Sequence, residues 1–155
     1  MSRPDAGKIT IVGGAMQVME VMSRTVATVD ADANLGQAAA EMQDKNVGIL
    51  PVLDGKSVAG VVTDRDLVVR GIAQHLDPES TKVRDVMSTD PVIVHMNAPI
   101  EQAADILAER KIGRALVVDE SSQVVGLLSM ADIALAVDDK EMVGDLLKHV
   151  SERYF

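Results

Sequence analysis

The chain has 155 residues, 47% hydrophobic and 25% charged, enough apolar matter for a buried core and too much for a disordered polymer. Its 24 acidic against 15 basic side chains give a formal charge of −9, which argues against a phosphate-backbone footprint and so against nucleic acid as a partner. There is no cysteine, which excludes disulfides, thiolate catalysis, zinc ribbons and iron–sulfur clusters; with Tyr154 and Phe155 as the aromatic residues, base-stacking platforms are excluded too.

The head, residues 1–15, holds the short apolar stretch Ile9–Ala15. It is too short for a signal peptide, and no apolar run approaches the ~18 residues of a membrane span, so a cytoplasmic protein without a membrane partner is expected. Val18–Ser23 reads as a short helical turn and Thr25–Val29 as an extended stretch. Leu35, Ala38, Ala39 and Met42 have helical spacing, with Gly48 near the C-cap. Strands at Ile49–Leu53 and Val58–Val62 flank an Asp-Gly-Lys turn, and a second helix starts at Asp64.

The same series then recurs. Val83–Ser88 repeats Val18–Ser23 at an offset of 65, followed by Pro91–Val94, a helix with Ile100, Ala103, Ala104 and Leu107, then Gly113 and the strand Ala115–Val118. One inserted residue in the turn Asp119–Gln123 shifts the offset to 66, and the strand Val124–Leu128 runs into a helix from Met130. The order β-α-β-β-α, twice, predicts an α+β fold with copies at 16–78 and 79–138. A hairpin with helices on one side cannot bury both faces, so the copies are expected to pack sheet to sheet with pseudo-two-fold symmetry. In the remainder, 139–155, Val143, Leu146, Leu147 and Val150 fall at i, i+3, i+4 and i+7, predicting a docked helix with Tyr154 and Phe155 as anchors; the alternative is a swapped arm gripping a partner subunit.

Two segments carry chemistry. Gly60-x-x-Thr63-x-x-Asp66 and Gly126-x-x-Ser129-x-x-Asp132 each follow an apolar strand and precede an apolar helical run. From spacing, two readings stand. Thr63 and Ser129 with their aspartates could cap helices. Alternatively, each aspartate could accept from both vicinal hydroxyls of a ribose, with unpaired N–H groups at the helix start facing a phosphate. Arg65 lies inside the first motif where the second has Ala131, and it could pair with phosphate or with surface carboxylates. Met22 and Met87 read as gap-fillers. His75, His95 and His149 form no metal-ligand spacing, and no P-loop, GxGxxG or nucleophile–base pair is present, so neither a metal site nor an enzyme is expected.

Gly60–Asp66, Gly126–Asp132 and Leu50-Pro51-Val52-Leu53-Asp54 together resemble a tandem pair of CBS domains, a Bateman module, over residues 16 to 138. Thr63–Gly71 with Leu76–Pro78 looks like the small stand-alone bacterial CBS-pair proteins. The resemblance implies a regulatory module that binds AMP, ADP, ATP or S-adenosylmethionine in clefts between the repeats, with no catalytic cofactor and with magnesium accompanying ATP. It implies Thr63 and Asp66 in one cleft, walled by Pro91, Val92 and Ile93 with Arg114 nearby. It implies Ser129 and Asp132 in the other, walled by Val26, Ala27 and Thr28 with Gly48 and Ile49 nearby. The Asp66 cleft is expected to bind more tightly, through Arg65 and Arg114. A homodimer through helix positions such as Leu67, Val68, Ile72, Ile133, Leu135 and Val137 is implied as well, acting on an unknown protein partner. The competing expectation is a ligand-free dimeric adaptor in a stress response.

Overall fold

The structure, a computed structural model, describes residues 16–24 and 26–152; the 1–15 head, Thr25 and the Tyr154 and Phe155 anchors lie outside the described residues. The chain forms two compact units that cut across the sequence copies: residues 26–91 make one, and residues 16–24 join 92–152 in the other.

In the 26–91 unit, β1 (Val29–Asp30) runs parallel to β2 (Ile49–Asp54), which pairs antiparallel with β3 (Ser57–Thr63). The crossover between β1 and β2 is α1 (Leu35–Lys45). Asn34 opens it with a capping box: its side chain accepts from Gln37 N at 2.8 Å, and its own N–H donates to Gln37 Oε1 at 2.9 Å. Leu35, Ala38 and Met42 face the core alongside Leu50, Val52 and Val62. After β3, α2 (Asp64–Asp66) runs on into a π-helical turn (Leu67–Gly71) and a 3-10 turn (Ile72–Gln74).

The other unit repeats the plan with β4 (Ile93–His95), β5 (Arg114–Val118) and β6 (Val124–Ser129) in the same strand order, and α3 (Ile100–Arg110) as the crossover. Then come α4 (Met130–Ala136) and α5 (Lys140–Ser151). Even the irregularity is duplicated. The register slips between Val52 and Leu53, skipping Ala59, and between Val117 and Val118, skipping Val125. Together these make an α+β fold with two three-stranded sheets.

α1 and α3 each leave through a left-handed residue, Asn46 (φ 53°) and Lys111 (φ 54°), with the glycine following two positions later. Gly48 and Gly113 offer their carbonyls to the first N–H of the next helix, at Asp64 (3.0 Å) and Met130 (2.8 Å). Several expectations are corrected. Ala39 is exposed while its counterpart Ala104 is buried, because α5 lies against α3. In α5 the buried residues are Leu146 and Val150, with Met142 packed beside them; Leu147 remains 52% exposed. Leu67 and Ile133, expected on an outer face, are buried in their cores. No helix among the described residues is long and apolar enough to cross a membrane.

The two Val-Met turns explain why the units cross the copies. The 3-10 turn at Val18–Glu20 hangs from Ala98 O by Val18 N (2.9 Å), and Ser23 exchanges two backbone bonds with Leu127 on β6 (2.8 and 2.9 Å). Its counterpart, Val83–Asp85, hangs from Ala33 O, and Ser88 exchanges two bonds with Val61 on β3 (2.9 and 3.0 Å). Each turn therefore completes the sheet of the other copy. The motif glycines follow from this close approach: a Cβ on Gly126 would sit 2.8 Å from Ser23 O, and one on Gly60 would overlap Ser88 O. Met22 is buried in one core and Met87 packs against the other, the gap-filling role expected of them.

Candidate functional site

Both motifs sit where a strand ends and a helix begins. Thr63 keeps extended backbone (φ −110°) while the next residue is helical, so its hydroxyl projects over the first turn. Thr63 Oγ1 accepts from Asp66 N at 3.2 Å, and Asp66 Oδ2 accepts from Thr63 N at 2.9 Å. Ser129 and Asp132 reproduce this, at 3.0 and 2.9 Å. The capping reading therefore holds at both motifs, and it has a consequence for binding. One oxygen of each aspartate is committed to the cap; the other, Oδ1, is held in a fixed direction at the partly buried edge of the sheet.

The helix starts are less open to phosphate than expected. In the first motif Asp64 N donates to Gly48 O, Arg65 N to Asp64 Oδ1 at 2.8 Å, and Asp66 N to Thr63 Oγ1. All three N–H groups are spent inside the protein. The second motif has Met130 in place of Asp64, and no carboxylate caps Ala131 N among the described residues.

Arg65 is exposed beside Asp66, as the sequence suggested. Arg114 is the cross-strand partner of Ser129, as Ile49 is of Thr63, so within its unit Arg114 flanks the second motif. Within its own unit, then, the first motif carries Arg65 and the second has Arg114 beside it. A third, Arg70, was missed by sequence reasoning: its Nε lies 3.8 Å from Asp66 Oδ1, and its Nη1 donates to Val86 O and Met87 O at 3.3 and 3.2 Å. Its position four residues after Asp66 on a helical run was the available signal.

The expected wall residues divide between the units. Val26 and Ala27 are partly buried and Thr28 is exposed, all leading into β1, and Pro91 ends the same unit. In the other unit Val92 packs against the core while Ile93, on the opposite side of the strand, stays exposed. Among the described residues no group of histidines and carboxylates is placed to hold a metal ion.

A doubled strand–motif–helix unit of this kind matches the family model for the CBS domain at residues 18–71 and again at 83–139. The chain belongs to the CBS-domain family. It is a tandem CBS pair. It is 34% identical over 136 residues to the CBS domain-containing protein YhcV of Bacillus subtilis, covering 88% of this chain and 96% of that one. It is 36% identical over 121 residues to the uncharacterized protein YlbB of the same organism, covering 77% and 80%. In fold, this CBS pair is similar to the CBS domain protein TA0289 from Thermoplasma acidophilum (TM-score 0.76, 23% identity, 88% of this chain and 76% of that one). It is similar also to the CBS pair of MJ0100 in complex with 5′-methylthioadenosine and S-adenosyl-L-methionine (0.69, 22%, 79% and 95%). A third likeness is PAE2072 from Pyrobaculum aerophilum complexed with AMP (0.69, 24%, 86% and 99%).

Proposed function

We propose that this CBS pair is a non-catalytic regulatory module of the cytoplasm that binds an adenosyl ligand at the Thr63–Asp66 and Ser129–Asp132 motifs and passes the occupancy to a protein partner. The observation that carries the reading is the second oxygen of each capped aspartate, Oδ1, which the cap leaves uncommitted. The cap locks the carboxylate, so a ribose meets an acceptor whose direction is already fixed, and little ordering is left to oppose binding. Arg65 and Arg114 supply a cation beside each motif for a 5′-phosphate. The AMP, S-adenosylmethionine and 5′-methylthioadenosine held by CBS proteins of the same fold support an adenosyl ligand. With a formal charge of −9 on the chain, AMP and ADP are favoured over ATP unless magnesium accompanies it.

The module works as a homodimer in this reading. Val68, Val69 and Ile72 are exposed on one helical run and Leu135 on α4, large apolar side chains that a second copy would cover. Light scattering that finds a concentration-independent monomer would remove this part.

The ligand-free adaptor keeps one observation in its favour: Thr63, Asp66, Ser129 and Asp132 all have structural work as helix caps. Denaturing the purified protein and chromatographing the supernatant separates the two readings, with an adenosyl compound expected in it. A clean supernatant, followed by no heat of binding with AMP, ADP, ATP or S-adenosylmethionine, would favour the adaptor.

A further inference from the structure

The two motifs differ in what stands behind the aspartate. Arg70 lies between three acceptors: its Nε forms an ion pair with Asp66 Oδ1 at 3.8 Å, and its Nη1 donates to the carbonyls of Val86 and Met87. Val86 and Met87 belong to the segment that Ser88 pins to β3 by its pair of bonds with Val61. The π-helical turn at Leu67–Gly71 carries Arg70, and the second motif has a regular α-helix with Ala136 at the matching place. The turn Val21–Ser23, counterpart of Val86–Ser88, therefore has no such arginine from α4.

We propose that Arg70 is a positioning residue that couples occupancy of the first motif to the Val83–Ser88 turn. This rests on the adenosyl-binding reading above. A ribose hydroxyl that donates to Asp66 Oδ1 takes up part of that oxygen's charge and crowds the space between it and Arg70 Nε, weakening the 3.8 Å ion pair. Arg70 then loses one of its holds, and the turn it clamps loosens. Because coupling is reciprocal, a turn already loosened makes Asp66 easier to occupy. Lysine cannot substitute, since one ammonium cannot span the carboxylate and both carbonyls while a guanidinium fork can.

The test uses adenosine, which offers the ribose without a phosphate to attract Arg70, and reads amide hydrogen exchange at Val86, Met87 and Ser88. In the wild-type protein, saturating adenosine should speed exchange there by about fivefold or more, with less than about twofold change at Ser23. In Arg70→Ala and Arg70→Lys the exchange should already be fast and unresponsive, while adenosine binds several-fold more tightly by calorimetry. Arg70 is half exposed, so both variants should keep the circular-dichroism spectrum of the folded protein. Adenosine binding with unchanged exchange at 86–88, or the same response in the variants as in the wild type, would overturn the coupling and leave the binding reading standing. A wild-type protein that binds neither adenosine nor AMP would overturn both.

Discussion

Asp66 and Thr63 hold each other twice, Oδ2 to backbone N at 2.9 Å and Oγ1 to backbone N at 3.2 Å, and this reciprocal pair both starts a helix and aims a carboxylate. Ser129 and Asp132 do the same at the second motif. Stability and recognition therefore share the same four side chains, and substitutions can separate them.

Asp66→Ala should cost about 1 kcal/mol of stability through loss of the cap and should also remove the ligand response of the first motif. Thr63→Ser keeps the hydroxyl, so it should retain the response with only a small change in stability. Urea unfolding with and without AMP reads both quantities. An Asp66→Ala protein that loses stability yet binds AMP at both motifs as before would restrict Asp66 to capping.

Gly60→Ala and Gly126→Ala each push a methyl group into a Val-Met turn. The Gly126 methyl would meet Met22 Sδ at 2.6 Å and Ser23 O at 2.8 Å. Each substitution should cost about 1–3 kcal/mol, the usual range for overpacking, whereas Gly55→Asn, at a left-handed turn (φ 64°) with open space around it, should be nearly neutral. Denaturation midpoints compare the three directly.

Much of the fold was legible in the sequence because it is local. Apolar spacing marked α1 and α3, and Thr63 and Ser129 announced the helices that follow them. What stayed hidden is long-range. No periodicity tells that Ser23 pairs with Leu127, so the copies look like folding units when the compact units exchange their first turns. Arg114 is a similar case: its neighbour is fixed by the register of β5 on β6, which placed it opposite Ser129. Arg70 was visible as the i+4 neighbour of Asp66, but its bonds to Val86 and Met87 depend on the return of the chain through that turn.

In α5, Leu146 and Leu147 are adjacent in sequence and opposite in role, one 2% and the other 52% exposed. Leu146→Ala should lower stability by about 2–4 kcal/mol, and Leu147→Ala by less than about 0.5 kcal/mol. Thermal unfolding that ranks the two equally would mean that α5 does not dock in solution as described.

The Asp32 carboxylate is held below its ordinary pKa of 3.8, first by its hydrogen bond from Arg84 and then by that from Lys82. A depressed folded-state pKa gives stability that is present above the unfolded value and is lost as pH falls through the folded one. The wild type and Asp32→Asn should therefore differ slightly in urea midpoint at pH 6 and converge as the pH falls below 3.8 and through the lowered folded-state value. The groups are solvent-exposed, so salt should also shrink the difference. A gap that widens on acidification would contradict the assignment.

The central claim is that the two capped aspartates receive an adenosyl ligand, and isothermal calorimetry on protein stripped of bound nucleotide tests it most directly. Titration with AMP should give saturable binding in the wild type, reduced but present in Asp66→Ala and in Asp132→Ala, and absent in the double variant. At about 100 times the dissociation constant, AMP should stabilise the wild type by ~2.7 kcal/mol. AMP binding of undiminished affinity in the folded double variant would contradict the claim.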